Sequence, residues 1–227
     1  MTGKNIPYEI DGEQFEAYFA TPSNTAPLVF LVHAWGGVTD YEKKRADMLA
    51  DMGYAAFAVD LFGAGVRPTE MDERKAMIMS LYQDRPRMRK LLYGGLDAAK
   101  EHGGNTDNAV AMGYCFGGAC VLELARSGAE LKGFATFHGG LAIPEGQDYS
   151  NTRGPLLIMH GTADTSITMN DFARLAEALE KAGVSHEMIS YSGAPHAFTV
   201  FGSPAYRKDA DQKSWRRFGE FLRATLN

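Results

Sequence analysis

Three side chains that cooperate in nucleophilic catalysis occur along this sequence in the order cysteine, aspartate, histidine: Cys115, Asp164 and His196. Each sits in a glycine-marked motif. These are Gly113-Tyr114-Cys115-Phe116-Gly117, His160-Gly161-Thr162-Ala163-Asp164 and Gly193-Ala194-Pro195-His196-Ala197-Phe198. A free thiol titrates at about 8.5 and is mostly protonated at neutral pH. An imidazole can accept that proton and later give one to a leaving group. A carboxylate on the far ring nitrogen orients the imidazole and stabilises its cation. Together they would attack an acyl carbon and form a thioester that water then opens. Singly, each residue has an ordinary reading: a buried cysteine in a glycine-rich turn, an aspartate capping a turn, a loop histidine. What points to a triad is that all three occur in this order, each after a predicted strand.

The elements that must position them follow from the surrounding residues. Ala109 to Met112 reads as a short buried strand, and Ala119, Cys120, Val121, Leu122 and Leu124 as an apolar helix. Between them lies a tight strand-to-helix turn with Cys115 at its tip. Gly113 and Gly117 flank the cysteine where side chains would meet neighbouring backbone. The cysteine itself is expected in strained backbone geometry. The helix N-terminus favours negative charge on the sulfur, and the Phe116 N–H is placed to bind an oxyanion.

The rest of the chain alternates strands and helices. Residues 6–20 read as a β-hairpin about Asp11-Gly12. Residues 28–32 form a continuous apolar run, as in a strand covered on both faces, and end in His33-Ala34-Trp35-Gly36-Gly37. A helix capped by Thr39 or Asp40 follows, with Ala46, Leu49 and Ala50 on its inner face and Gly53 at its end. A strand is expected over 54–59, helices over 70–81 and from Pro86 to about Glu101, and a strand over 133–137. A polar loop spans 143–153. A strand over 155–159, a helix over 168–182, a strand over 186–191 and a terminal helix over 204–226 complete the pattern. This is an α/β chain: a single domain over residues 1–227, with a mostly parallel sheet, helices on both faces and an N-terminal antiparallel hairpin. In such sheets functional loops lie beyond the carboxyl ends of the strands, where all three motifs fall. A second oxyanion donor is expected from the loop after 28–32; the Trp35 N–H is the candidate, and Gly36 and Gly37 let that loop come close.

Composition narrows the function. The net charge of −5 and the scattered arginines argue against nucleic acid as a partner. No apolar run is long enough to cross a membrane, and the first residues lack the apolar core of a signal peptide. The two cysteines, Cys115 and Cys120, imply no disulfide framework. A free reactive thiol fits a reducing cytoplasm. His33, His138 and His160 also stand at strand ends. They form no His-x-x-x-His pair or Cys/His cluster, so they are read as loop braces, with no metal and no cofactor expected. Ala34, Phe62, Tyr82, Tyr114, His138 and Phe198, with Trp35, are taken as pocket walls, although aromatic residues serve equally as core.

The cysteine elbow from Gly113 to Gly118, Asp164 in His-Gly-x-x-Asp and His196 in Gly-x-Pro-His-x-Phe resemble the dienelactone hydrolase family, of carboxymethylenebutenolidase type, within the α/β-hydrolase superfamily. The resemblance covers nearly the whole chain. It implies a cytoplasmic, cofactor-free α/β-hydrolase that opens small esters or lactones through a thioester, with a Cys115-His196-Asp164 triad and oxyanion donors at Trp35 and Phe116. A monomer is the default. The chain departs from the family at two places. Ala34 stands where many members carry a glutamate that meets the resting thiol. No arginine follows His196, where dienelactone-cleaving members hold the substrate carboxylate. Arg67, Arg74, Arg85, Arg87 and Arg89 could supply replacements, but are read mainly as solvated charges. Neutral esters or lactones are therefore expected as better substrates than dienelactone, and Cys115 is expected to rest as a thiolate beside the His196 imidazolium. Two other uses of the same triad stay open: acyl transfer to an alcohol or amine, and a ligand-binding or redox-sensing protein with reduced turnover.

Overall fold

The structure, a computed structural model, describes residues 2–226. The chain forms two compact units, Met1–Ala109 and Val110–Asn227.

In the first unit, β1 (Lys4–Ile10) and β2 (Glu13–Ala20) pair antiparallel about Asp11-Gly12. Both turn residues have positive φ, 50° and 83°, as a two-residue hairpin turn requires. Tyr8 faces Phe15 across the pair, with ring centroids 5.4 Å apart. β2 then pairs antiparallel with β4 (Ala55–Val59), and β4 pairs parallel with β3 (Pro27–Val32). β4 is buried throughout and β3 almost so, which explains their unbroken apolar sequences.

Helix α1 (Asp40–Asp51) starts at Thr39, which with Glu42 makes a capping box. Its inner face holds Ala46, Leu49 and Ala50 as expected, and also Glu42 and Arg45. α2 (Met71–Gln83) buries only Leu81. α3 (Arg85–Glu101) is capped by the Asp84 side chain and packs on β1 and β4. Gly94 and Gly95 permit that packing: a Cβ there would lie 2.5 Å from Ile10 and 2.3 Å from Val59.

The second unit contains β5 (Asn105–Tyr114), which begins in the first, followed by β6 (Gly133–Phe137), β7 (Leu156–Gly161) and β8 (His186–Tyr191). Neighbours in this series pair parallel. α4 (Phe116–Arg126) is buried at every residue, so it is apolar on all sides except for an internal ion pair. In that pair Arg126 lies 2.8 Å from Glu123, and its guanidinium also donates to Tyr149 and Gln147. The 143–153 loop, expected to be polar, is thereby anchored through the fully buried Tyr149. α5 (Met169–Ala182) carries a Thr168-Asp171 capping box and ends at Gly183, φ 68°. α6 (Lys208–Thr225) packs on β6 and β7.

The class is the expected one, α/β with mostly parallel strands and an antiparallel N-terminal pair. Two elements differ from the sequence reading. β5 is ten residues long: the strand starts at the partly exposed Asn105–Asn108, which lacks apolar patterning. The last helix starts at Lys208 and not at Pro204. Successive turns precede it, with Tyr206 N–H donating to Ser203 O and Arg207 N–H to Phe198 O.

Candidate active site

β5 runs into α4 through one residue, Cys115, with φ 54° and ψ −116°. This backbone costs on the order of 1–3 kcal/mol for a residue with a side chain. The surrounding chain fixes it. A Cβ on Gly113 would stand 2.3 Å from the Gly117 carbonyl, so the two sides of the turn touch. Cys115 N–H donates to Phe137 O, and Cys115 O accepts from Gly118, Ala119 and Gly140 N–H. Gly118 has its own steric reason, which the motif did not show. A Cβ there would lie 2.6 Å from the Gly139 Cα, so elbow and β6 loop interlock. Cys115 is partly exposed and Cys120 fully buried.

Asp164 and His196 follow β7 and β8, whose parallel register places Gly161 opposite Tyr191. The two loops are bonded to each other: Thr162 N–H donates to Tyr191 O, Ala163 N–H to Ala194 O and Gly193 N–H to Thr162 Oγ1. Gly161 packs so tightly on Ala194 O that a Cβ would come within 2.2 Å of it. The result is an Asp164 Oδ2 to His196 Nδ1 distance of 2.7 Å. Asp164 Oδ1 accepts from Ser166 and Ile167 N–H, both at 2.9 Å. Burial alone would raise the Asp164 pKa, but the His196 bond and the Ile167 and Ser166 N–H groups outweigh it and hold the carboxyl below its ordinary range. It is therefore ionised, and His196 Nδ1 is the donor. Burial opposes charge on His196 as well. Its bonds to Asp164 and to the Cys115 side chain, with the charges of both, win and push its pKa up to about 10. The ring is 26% exposed while the Asp164 carboxylate has no exposed surface. The His196 ring thus interacts with both the Cys115 side chain and the Asp164 carboxylate, and Cys115 is partly exposed.

Beside them, His160 Nε2 lies 2.9 Å from Ile167 O and its ring stacks on Phe172, bracing the loop that carries Asp164. His138, buried, faces the His196 ring edge-on. Tyr114 and Phe198 have no exposed surface and pack against His138.

The remaining candidates lie in the first unit. His33 is buried, and burial pushes its pKa down to about 4. As a neutral ring it accepts from Leu61 N–H at Nε2 and donates to Ala34 O at Nδ1 (2.6 Å), with Phe62 edge-on at 4.5 Å. The buried Glu42 carboxylate accepts from Ala34 N–H, Thr39 N–H and the Thr39 hydroxyl. Arg67 donates to Val38 O and Val66 O and lies 3.7 Å from Asp60. The Arg74 guanidinium stands over the Trp35 ring, 5.5 Å from its centroid, and donates to Pro68 O. The Ala34-Trp35 segment is therefore held from several sides. Sequence reading did not assign this work to Glu42, Arg67 or Arg74; Glu42 alone was legible, as a capping-box residue. Arg85 covers the Tyr82 ring at 4.9 Å, and Arg87 pairs with Glu13 on the surface. The described residues contain no group of three or more His, Cys, Asp or Glu able to hold a metal ion.

Residues 15–226 match the profile of the dienelactone hydrolase family. A crystal structure of a dienelactone hydrolase-like promiscuous phosphotriesterase from metagenomic libraries superposes with a TM-score of 0.92 at 27% identity, covering 100% of this chain and 99% of that one. A Yersinia pestis protein named for carboxymethylenebutenolidase is 27% identical over 219 residues, 91% of this chain and 82% of its own. A Bradyrhizobium protein named as a 2-oxo-3-(5-oxofuran-2-ylidene)propanoate lactonase is 27% identical over 225 residues, 94% of this chain and 90% of its own.

Proposed function

Because this chain belongs to the dienelactone hydrolase family and is an ester or lactone hydrolase of that type, we propose that it works through a Cys115-His196-Asp164 triad and a thioester intermediate, with residues 1–227 acting as one α/β-hydrolase domain. The observation that carries this reading is the His196 ring, bonded at Nδ1 to the ionised Asp164 and also to the Cys115 side chain.

The reacting pair in this proposal is a Cys115 thiolate beside a protonated His196. The Cys115 sulfur attacks the carbonyl carbon, and the charge that develops on oxygen is met by the N–H groups of Phe116 and Trp35. Phe116 opens α4, whose first-turn donors point beyond the helix N-terminus. For Trp35 the support is the family motif and the bracing of its loop by His33, Glu42 and Arg74. The carbon–oxygen bond of the ester breaks, and the leaving oxygen takes the proton from His196. Neutral His196 then accepts a proton from water as that water attacks the thioester. The carbon–sulfur bond breaks, the acid leaves and the thiolate–imidazolium pair is restored. A His196 that keeps its proton at neutral pH suits the first step, since it starts as the acid the leaving group needs.

The substrate we propose is a small neutral ester or lactone, handled in the cytoplasm by a monomer without a cofactor. The test is p-nitrophenyl acetate with wild type and Cys115→Ala. Sustained release lost in the variant supports the reading. A burst of one equivalent in wild type would replace hydrolysis by a trapped thioester, the acyl-transfer reading. No release from wild type would favour a binding or sensing role.

A further inference from the structure

β6 ends in His138-Gly139-Gly140, and the steps above give His138 no part. Yet its surroundings join the nucleophile to the base. The side chain is 1% exposed, and its backbone has φ 42°, a strained value outside glycine. His138 Nε2 lies 2.8 Å from the hydroxyl of Thr199, a residue with no exposed surface. The His138 ring meets the His196 ring edge-on, centroids 5.2 Å apart and planes at 66°. Phe198 closes a further side at 5.3 Å, and Tyr114, the residue before the nucleophile, lies at 5.9 Å. The side chain is thus wedged between the elbow and the segment 196–199.

The backbone around His138 grips the nucleophile. Phe137 O accepts the Cys115 N–H at 3.2 Å, and Gly140 N–H donates to Cys115 O at 3.1 Å. His138 N–H is itself tied to Met159 O at 2.8 Å, so the loop cannot drift from β7. On the other side, the residue after the base, Ala197, has φ 60°, so the base segment needs outside contacts to keep its geometry. The contacts to Asp164 and Cys115 fix two sides of the His196 ring but leave it able to pivot about the line that joins them. An edge-on neighbour anchored to Thr199 limits that pivot. The ionisable groups about His196 are Asp164, Cys115, His138 and, at longer range, His160.

We propose that His138 is a positioning residue of the reaction: anchored by Thr199 and set edge-on to His196, it holds the base at the place where the β6 loop has fixed Cys115. This rests on the reading of Cys115 as nucleophile and His196 as base.

The experiment leaves His138 in place and removes its anchor. Thr199→Val keeps the side-chain shape and deletes the hydroxyl; Thr199→Ser keeps the hydroxyl. Each is measured for kcat and KM with p-nitrophenyl acetate, for the His196 ring titration by NMR and for thermal midpoint, beside Cys115→Ala. The expected result is a kcat roughly ten- to a hundredfold lower in Thr199→Val, the scale of loss from a small misplacement of reacting groups. KM should barely change, the His196 pKa should fall, and Thr199→Ser should restore both kcat and pKa. A Thr199→Val enzyme with wild-type kcat and His196 titration overturns the proposal. So does a loss of kcat that tracks a lower thermal midpoint with His196 titrating as in wild type. If Cys115→Ala still turns over, the nucleophile reading fails and takes this proposal with it. If Cys115→Ala is inactive and Thr199→Val behaves as wild type, only the positioning role fails.

Discussion

The Asp164 carboxylate, with no exposed surface, lies 2.7 Å from Nδ1 of a His196 ring that is 26% exposed. The acid is held by two further backbone N–H groups, so it stays ionised and cannot turn from the ring. Asp164→Asn keeps the size but can present an N–H where an acceptor is needed. In the serine triad the equivalent change costs about 10⁴ in kcat. A loss of roughly 10³ to 10⁴ in kcat is expected here, with Cys115 and His196 still in place. Steady-state kinetics with a neutral ester checks it; a loss under tenfold would remove Asp164 from the triad.

The charge on His196 makes a prediction for pH. Its folded-state pKa is pushed up to about 10 from an ordinary value of 6.5. The folded protein therefore binds this proton more tightly than the unfolded chain. The stabilisation is full below the ordinary value and is lost as pH rises through about 10. Urea midpoints should fall between pH 7 and 10 more steeply in wild type than in His196→Ala. Cys115→Ala should flatten the slope part of the way, because the Cys115 contribution is one of those that raise the pKa. Equal slopes in all three proteins would contradict the coupling.

Substrate charge is the third prediction. The residues after His196 are Ala197, Phe198, Thr199 and Val200, with no cation among them. Arg67, Arg74, Arg85 and Arg87 are engaged with carbonyls, rings or carboxylates. A hydrogen bond to a charged group contributes about 1.5–3 kcal/mol, or roughly ten- to a hundredfold. Neutral lactones should exceed carboxylate-bearing ones by about that factor in kcat/KM. A preference for the anionic lactone would show that one of these arginines turns to the substrate.

The Arg126–Glu123 pair concerns stability. At 2% and 0% side-chain exposure, neither charge has water to fall back on. Arg126→Met leaves a buried carboxylate alone and should cost about 3–5 kcal/mol. The double variant Arg126→Met, Glu123→Leu should recover part of that loss. Urea denaturation of the single and double variants decides it; a single variant as stable as wild type would mean that water reaches Glu123.

Much of this fold is legible in the sequence. The hairpin followed from alternation about Asp11-Gly12, and β6 and β8 from short apolar or alternating runs with turn residues at both ends. The cysteine turn was readable because its glycines have steric work: Gly113 faces Gly117. The start of β5 is not legible, because Asn105–Asn108 are polar and at most half-buried, with no apolar pattern to mark a strand. The start of α6 has no local signal, because the Arg207 N–H to Phe198 O bond joins residues nine apart. Thr199 gave no sign of its role, which depends on His138 sixty-one positions away. Buried charges such as Glu42, Arg45 and Arg126 are also invisible to a hydrophobic pattern, which assigns them to solvent.

The most direct test is to catch the covalent intermediate. Wild type mixed with p-nitrophenyl acetate and quenched in acid within the first turnovers should carry one acetyl group, and peptide mapping should place it on Cys115. Iodoacetamide added beforehand should alkylate Cys115, abolish acetylation and leave the buried Cys120 unmodified. An acetyl group found elsewhere, or turnover that survives alkylation of Cys115, would contradict the account.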